Sequence, residues 1–273
     1  EVRELSADVS SMRERILQDL SAVRAANSAL ETRTQDLQRS NAELEQFAYV
    51  ASHDLQEPLR KVASFCQLLQ RRYPGQLDER AEQYIEYAVD GAKRMQVLIN
   101  DLLAFSRVGR SAEHREPVDT GEALGQARAN LAEARKDAKA VIESGDLPVV
   151  LGEPTLITAV FQNLLSNALK FRGEDAPQVS VTARREGEYW LFSVQDNGIG
   201  IAPGYADRIF VIFQRLHDRA TYSGTGIGLA MCRKIIEYHG GTIWLDTTAE
   251  TGARFCFTLP VLPEAEDKRD DDD

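Results

Sequence analysis

One stretch of the chain combines residue types that could do chemistry with a spacing that would bring them together. It reads Tyr49-Val-Ala-Ser-His53-Asp54-Leu-Gln-Glu57-Pro58-Leu-Arg60. On a helix, His53 shares one ridge with Glu57 and Lys61, and Asp54 follows it directly. Histidine changes its charge near neutral pH, so this ridge is a candidate reactive site. Taken alone, a histidine on a helix is more often an ordinary surface or half-buried residue, and the rest of the chain has to decide between the two interpretations.

A second set of polar residues lies on a predicted helix that begins at Glu153-Pro154 and reaches Phe171. Asn163, Asn167 and Lys170 share one face of this helix by their spacing. Amide oxygens suit Mg²⁺, which keeps several waters and also binds phosphate, and a lysine suits phosphate charge. The face is therefore a candidate site for magnesium and phosphate, and an exposed polar stripe would have the same pattern.

Three further stretches are rich in glycine or aromatic residues. Asp196-Asn-Gly198-Ile-Gly200 follows an apolar strand, so its carboxylate could accept a hydrogen bond from an adenine amino group, although such a sequence is often only a turn. Gly224-Thr225-Gly226-Ile-Gly228-Leu229 enters a helix and could bind an anion, but no βαβ unit starts there, which excludes a Rossmann fingerprint. The third stretch is Ile209-Phe210-Val-Ile-Phe213-Gln-Arg215. Phe213 could anchor a mobile lid and Arg215 could reach phosphate. A plain hydrophobic anchor is equally consistent with these residues.

The first part of the chain has the pattern of a coiled coil. Apolar residues recur at a strict interval of seven at Val9, Ile16, Val23, Leu30, Leu37 and Leu44. A strict seven-residue repeat predicts left-handed supercoiling with a partner helix, and a buried Asn27 would favour two strands in register. The sequence therefore predicts a parallel dimeric coiled coil over residues 1–44. The alternative is a long amphipathic helix that packs on its own domain.

A helical hairpin is predicted over residues 45–109. The first helix should continue through His53 to about Arg72, with Pro58 inside it as a point of bending. Tyr73-Pro74-Gly75-Gln76 is a turn signal, and Asp78 can cap a second helix that ends near Val108-Gly109. A single hairpin buries little apolar surface, so two hairpins are expected to form a four-helix bundle.

The remainder has an α+β pattern. Residues 110–116 read as a linker, 117–262 as one domain and 263–273 as an acidic tail. Helices are predicted at Thr120 to Lys139, Glu153 to Phe171 and Thr225 to His239, and strands at Ala140 to Ile142, Val149 to Leu151, Gln178 to Ala183, Tyr189 to Gln195, Thr242 to Asp246 and Arg254 to Leu259.

The composition of the chain limits which kinds of binding partner and which cellular compartment we expect for the protein. The chain has 273 residues and a net charge of −11, which argues against nucleic acid or an anionic membrane as the main partner. Three scattered cysteines predict no disulfide framework and a reducing compartment, which we expect to be the cytoplasm. No apolar run approaches the roughly 18 residues of a membrane span. The chain begins at Glu1 rather than methionine, so we expect it to be a fragment of a longer protein.

Taken together, residues of about Asn41 to Pro260 resemble the transmitter region of a sensor histidine kinase. The stretch around His53 resembles the family's phosphoacceptor box, and the four stretches of the second half resemble its asparagine box, two glycine boxes and phenylalanine box, in the family's order. Two segments are most similar in sequence to phytochrome-type members, namely Phe47-Ala-Tyr-Val-Ala-Ser-His53 and Leu98-Ile-Asn-Asp-Leu-Leu-Ala-Phe-Ser-Arg107. The resemblance implies an all-α coiled coil and a dimeric four-helix bundle, followed by an α/β sandwich ATP-binding domain of the GHKL type.

The resemblance also implies roles for individual residues. Asn163 and Asn167 would contact Mg²⁺ or its waters, Lys170 the phosphates, and Asp196 the adenine of ATP. The other residues implied in nucleotide binding are Phe171, Gly198, Gly200, Phe213, Arg215, Gly224, Thr225, Gly226, Gly228 and Leu229. His53 would attack the γ-phosphorus, with Asp54 holding the ring or taking its proton. The implied partners are a second copy of the chain, a response-regulator receiver that accepts the phosphoryl group on an aspartate, and an upstream sensor domain.

One position departs from the family's pattern. Many relatives have threonine or asparagine four residues after the histidine, where this chain has Glu57, so we expect weak or absent phosphatase activity toward the regulator. Two other functions stay open. One is an ATP-hydrolysing or clamp protein of the same superfamily, which is disfavoured because Asn163 stands where the gyrase-like pattern needs a carboxylate. The other is a non-catalytic dimer scaffold, which the intact Asn167, Asp196 and Gly226 disfavour.

Overall fold

The computed structural model describes residues 2–109, 115–216, 222 and 224–262. Along the first helix, side chains are described at positions 12, 13, 15–36, 39, 50 and from 54 onward. The chain divides into two compact units, of which the first extends to Leu55 and the second begins at Gln56. The predicted acidic tail at 263–273 and residues 110–114 of the predicted linker lie outside the described residues.

Helix α1 comprises Val2–Arg72. This segment contains no glycine and only one proline, which is consistent with the long helix that the sequence predicted. Pro58 lies inside it. Three residues of the predicted coiled-coil stripe have described side chains, and all are at least half exposed: Ile16 at 50%, Val23 at 56% and Leu30 at 63%. The side chains of Val9, Leu37 and Leu44 lie outside the described residues. The described part of the stripe is therefore uncovered in the single chain, as a seam that needs a partner helix would be.

Helix α2 comprises Glu79–Arg107 and begins where the sequence predicted. The side chain of Asp78 accepts a hydrogen bond from the N–H of Ala81 at 2.7 Å, which confirms the predicted N-cap. The turn before it is closed by Gly75, whose φ is +70°. The helix ends where Val108 becomes extended, also as predicted. Between the helices, the amide of Gln56 donates to Asn100 at 2.9 Å.

The second half of the chain is a mixed sheet with helices. In chain order it comprises β1 (Glu116–Asp119), α3 (Thr120–Asn130), α4 (Ala132–Asp137), β2 (Val141–Ser144), β3 (Val149–Gly152), α5 (Pro154–Lys170), β4 (Gln178–Glu186), β5 (Tyr189–Asp196), α6 (Gly228–Tyr238), β6 (Ile243–Asp246) and β7 (Arg254–Pro260). Five strands form one sheet in the order β2-β4-β5-β7-β6, in which β2 and β4 are parallel and the other neighbours antiparallel. Strands β1 and β3 form a separate antiparallel pair.

The core of this domain lies between the five-stranded sheet and the helices. Phe161 of α5 meets the rings of Phe192 and Phe257 edge-on, with ring centroids 6.3 and 6.0 Å away. Helix α6 buries Ile235 and Ile236 completely. Burial of this many large apolar side chains is the main force that holds helices on a sheet. The architecture confirms the predicted order of a helical region followed by an α/β domain.

Three local predictions were wrong. The helix predicted from Thr120 to Lys139 is two helices, because Leu131 leaves the helical region at φ −104° and ψ 17°. Strand β1 was not predicted, and it includes Glu116, the last residue of the predicted linker. Helix α6 begins at Gly228 rather than Thr225, because the preceding Gly226 has a φ of +78°, which a helix cannot accommodate.

All three cysteines are free thiols in the structure. Cys232 and Cys256 are buried in the α/β domain, and Cys66 on α1 is half-buried. Burial raises the pKa of Cys232 to about 12 and also raises the pKa of Cys256. The two buried thiols are therefore inert structural residues.

Candidate functional site

A cavity of about 360 Å³ lies between α5, the end of β5 and the loop that leads into α6. Its wall contains most of the residues that the sequence singled out: Asn163, Asn167, Lys170, Phe171, Asp196, Gly200, Arg215, Gly224, Thr225, Gly226, Gly228 and Leu229. Four separate stretches of sequence thus meet at one place. The apolar part of the wall includes Ile199, Ile201 and Ile209, which the sequence analysis did not single out.

The polar face of α5 forms one side of the cavity. The side-chain NH₂ of Asn163 donates to the carbonyl of Ala159 at 2.9 Å, which turns its oxygen toward the start of α6. A Cβ atom at Gly228 would lie only 2.8 Å from that oxygen. The ammonium of Lys170 lies 4.4 Å above the ring of Phe171. Burial lowers the pKa of Lys170, and the positive charge of Arg215 lowers it further.

Asp196 ends strand β5 at the other side of the cavity. One of its carboxylate oxygens accepts backbone N–H bonds from Gly198 at 2.8 Å and Ala253 at 3.0 Å. Burial raises the pKa of Asp196, and these two N–H bonds act in the opposite direction. Two glycines permit this packing, because a Cβ at Gly198 would lie 2.3 Å from the carbonyl oxygen of Phe171 and one at Gly252 would lie 1.8 Å from that of Asp196.

The glycine-rich turn before α6, Gly224-Thr225-Gly226, lies against the cationic side chains of Lys170 and Arg215. A Cβ at Gly224 would lie 2.7 Å from the ammonium nitrogen of Lys170. Arg215 donates to the carbonyls of Gly224 at 2.7 Å and Tyr222 at 2.6 Å, so its guanidinium braces this loop. Backbone N–H groups of a glycine-rich turn at the start of a helix, next to a lysine, suit an anion such as phosphate.

Two of the predicted nucleotide-binding residues, Gly198 and Phe213, lie outside the cavity wall. Gly198 packs behind it against Phe171. Phe213 is 58% exposed, adopts a φ of +65° and donates its backbone N–H to the carbonyl of Gly226 at 3.0 Å. The aromatic anchor of this segment is instead Phe210, which is 4% exposed and packs edge-on against Phe255. Phe213 therefore shapes the glycine-rich turn through its backbone.

His53 and Asp54 lie on α1 in the first compact unit. The side chain of His53 lies outside the described residues, and that of Asp54 is exposed. Glu57, one turn later, forms an ion pair with Lys61 at 2.7 Å across exposed side chains. Glu57 and Lys61 are thus neighbours on one face of α1, as the predicted ridge of His53, Glu57 and Lys61 requires.

A buried histidine supports the helix that carries the polar face. His239 follows α6 and is 2% exposed. Its Nε2 accepts from the N–H of Glu153 at 3.0 Å, and its Nδ1 donates to the carbonyl of Ile235 at 2.7 Å. These roles require the neutral ring, and burial lowers the pKa of His239. Since Glu153 immediately precedes α5, the ring links the end of α6 to the start of the site helix.

Comparison with known proteins gives matches over both parts of the chain. Residues 43–111 match the family model "His Kinase A (phospho-acceptor) domain", and residues 152–263 match "Histidine kinase-, DNA gyrase B-, and HSP90-like ATPase". A solved structure of full-length ShkA in complex with AMPPNP is similar, with a TM-score of 0.60 and 27% identity over 79% of this chain and 45% of that one. The chain therefore belongs to the sensor histidine kinases and comprises their transmitter region.

Its relatives identify the subgroup. The chain is 51% identical to cyanobacterial phytochrome A of Nostoc sp. over 86% of its own length and 31% of that protein. It is 46% identical to the phytochrome-like protein Cph1 of Synechocystis sp., over 83% of its own length and 30% of that protein. The transmitter is thus of the phytochrome-like type, and the chain spans less than a third of these relatives. In the part that the structure describes, no helix has both the length and the apolar character needed to cross a membrane.

Proposed function

We propose that this chain binds ATP in the 360 Å³ cavity, phosphorylates its own His53 and passes the phosphoryl group to an aspartate of a response-regulator receiver. The observation that carries the proposal is the meeting of Asn163, Asn167, Lys170 and Asp196 with the glycine-rich turn in one cavity. That combination pairs an acceptor for an adenine amino group with cations and amides for phosphates. The family membership supports the same activity.

The chemistry requires few groups from the protein. A lone pair of the neutral His53 ring attacks the γ-phosphorus, and the bond between that phosphorus and the bridging oxygen of ADP breaks, so ADP leaves with the electron pair. The ring then carries a positive charge, and Asp54 accepts the proton of its other nitrogen. Lys170, beside the glycine-rich turn, offsets the negative charge of the phosphates.

The residues of the cavity suit a magnesium ion that arrives with the nucleotide. Among the described residues there is no cluster of three or more His, Cys, Asp and Glu side chains that could hold a metal ion by itself. The donor set consists instead of the amide oxygens of Asn163 and Asn167, which suit a hard ion that keeps waters and phosphate oxygens as its other ligands. When bound, Mg²⁺ would supply positive charge that offsets the negative charge of the phosphates.

We also propose that the active form is a homodimer. The described apolar residues of the α1 stripe are uncovered in the single chain. The hairpin exposes a second apolar set, which comprises Val62, Phe65, Leu68, Leu69 and Met95. Apolar surface of this extent is characteristic of an interface, and a second hairpin would cover it as a four-helix bundle.

Incubation of the chain with γ-labelled ATP and Mg²⁺ tests the proposal. We expect label that is stable to base and labile to acid in the wild-type chain. His53→Gln should lose the label and still bind AMPPNP, whereas Asn167→Ala should lose both. Transfer of the label to a purified receiver domain tests the second step. Release of phosphate without label on the protein would support the ATP-hydrolysing alternative, and failure to bind AMPPNP would support the scaffold.

A further inference from the structure

The hairpin helix α2 takes part in the nucleotide cavity. Val97 and Asp101 of α2 belong to the wall of the cavity. The hydroxyl of Thr225, in the glycine-rich turn, donates to a carboxylate oxygen of Asp101 at 2.6 Å, although the two residues are 124 positions apart. A carboxylate from the hairpin helix α2 therefore lies at the turn that the phosphates of a nucleotide would approach.

Two further contacts hold the C-terminal end of α2 against the α/β domain. The ammonium of Lys234 donates to the carbonyl of Phe105 at 2.8 Å and lies 4.6 Å above the ring of that residue. Val108, just after α2, is 6% exposed and joins the core of the α/β domain. The hydroxyl of Ser106 on α2 is buried without a hydrogen-bond partner. This unsatisfied group makes the docking of α2 less favourable than the apolar contacts suggest.

The Asp101 carboxylate takes the role at the turn that a phosphate oxygen would take. Both are anionic acceptors, and both are suited to the Thr225 hydroxyl. The turn also lies against the ammonium of Lys170, as the 2.7 Å approach to the Cβ position of Gly224 indicates. Two anions at this turn would repel each other and compete for the same donor.

We propose that Asp101 sets the nucleotide affinity of the cavity by competing with the nucleotide phosphates for the glycine-rich turn. The hydrogen bond between Asp101 and Thr225 is a latch that holds α2 while the turn is empty. Binding of a phosphate-bearing nucleotide breaks the latch and weakens the docking of α2. By thermodynamic reciprocity, docking of α2 weakens nucleotide binding by the same factor. The inference rests on the proposed function in one respect, namely that nucleotides occupy this cavity.

Calorimetric titration of the full chain with ADP, AMPPNP and adenosine tests the latch. Asp101→Ala should bind ADP and AMPPNP about fivefold more tightly or better, which is the low end of typical coupling between sites. Adenosine has no phosphate, so its affinity should stay within about twofold, below the usual size of such coupling. The matched control is Asp90→Ala, on the same helix, whose side chain is 54% exposed and pairs with Arg94; it should change none of the affinities.

The outcomes separate the latch from the proposed function. Unchanged or weaker ADP binding by Asp101→Ala would overturn the latch, and so would an equal gain in adenosine affinity, which would indicate general opening of the cavity. A wild-type chain that binds none of the three ligands would overturn the proposed function instead. Hydrogen exchange gives a second measurement: amides at 99–107 of α2 should exchange faster when AMPPNP binds the wild-type chain. In Asp101→Ala they should exchange fast without nucleotide.

Discussion

Replacement of His239 by alanine should destabilise the α/β domain without touching the nucleotide cavity, whose wall does not include this residue. The ring is 2% exposed and satisfies the N–H of Glu153 and the carbonyl of Ile235. Loss of a partner for a buried N–H costs about 1–3 kcal/mol, and removal of a buried ring adds about 2 kcal/mol for the cavity it leaves. We therefore expect the free energy of unfolding to fall by about 3–5 kcal/mol at pH 7.5.

The effect should depend on pH in a defined direction. Burial lowers the pKa of His239 below its ordinary value of 6.5, so the unfolded chain binds a proton that the folded chain excludes. The stability supplied by the neutral ring is present above pH 6.5 and is lost as the pH falls below it toward the lower pKa of the folded state. The difference between wild type and His239→Ala should therefore shrink as the pH is lowered from 7.5 to 5.

Urea denaturation followed by tryptophan fluorescence measures this difference in the right domain. The chain has two tryptophans, and both lie in the five-stranded sheet, Trp190 on β5 and Trp244 on β6. Glu237→Ala is the matched control, since this residue is exposed on the same turn of α6 and should change stability by less than about 0.5 kcal/mol. A loss below about 1 kcal/mol for His239→Ala, or a difference that stays constant from pH 7.5 to 5, would refute the reasoning.

Three further predictions concern the site. Asp196→Asn should lower the affinity for AMPPNP and adenosine alike by about tenfold or more, because the charged acceptor is lost; calorimetric titration measures this, and a loss confined to AMPPNP would contradict the adenine role. Gly252→Ala should impair both folding and nucleotide binding, because its Cβ would lie 1.8 Å from the carbonyl oxygen of Asp196; a melting temperature within about 2 °C of wild type would show that the backbone adjusts. The wild-type chain should dephosphorylate a phosphorylated receiver slowly, and Glu57→Thr should gain that activity in an assay of phosphate release; fast release by the wild-type chain would contradict the prediction.

The parts of the fold that could be predicted are those where short-range chemistry decides. The cap at Asp78, the turn at Gly75 and the extent of α1 follow from residue types within one or two helical turns. The break at Leu131 could not be predicted in this way, because neither glycine nor proline marks it and, apart from Asn130, the neighbouring residues form helices well. Strand β1 pairs with β3 over separations of 30 to 36 residues, which periodicity does not reveal.

The candidate site shows the same division. The polar face of α5 and the glycine-rich turn were found by spacing, and the structure brings them into one cavity with Asp196. Asp101 was missed because nothing in its own stretch distinguishes it from the other acids of α2; its position depends on how a hairpin helix meets a turn 124 residues later. Phe213 was predicted to bind nucleotide, and the structure places its exposed side chain outside the cavity wall, so this role stays a prediction. Residue types thus indicated the chemistry, and long-range packing decided which residues share the cavity.

The distribution of thiols makes the hairpin convenient to observe. Cys232 and Cys256 are buried, and Cys66 on α1 is the one cysteine of the chain that is not. Cys66 lies one turn after Val62 and three residues before Leu69, so it belongs to the face that a second hairpin would cover. A maleimide should therefore label Cys66 quickly in a single chain and slowly in a homodimer. The labelling rate in the native sequence would then report assembly of the bundle, with the buried thiols of the α/β domain as an internal control for unfolding.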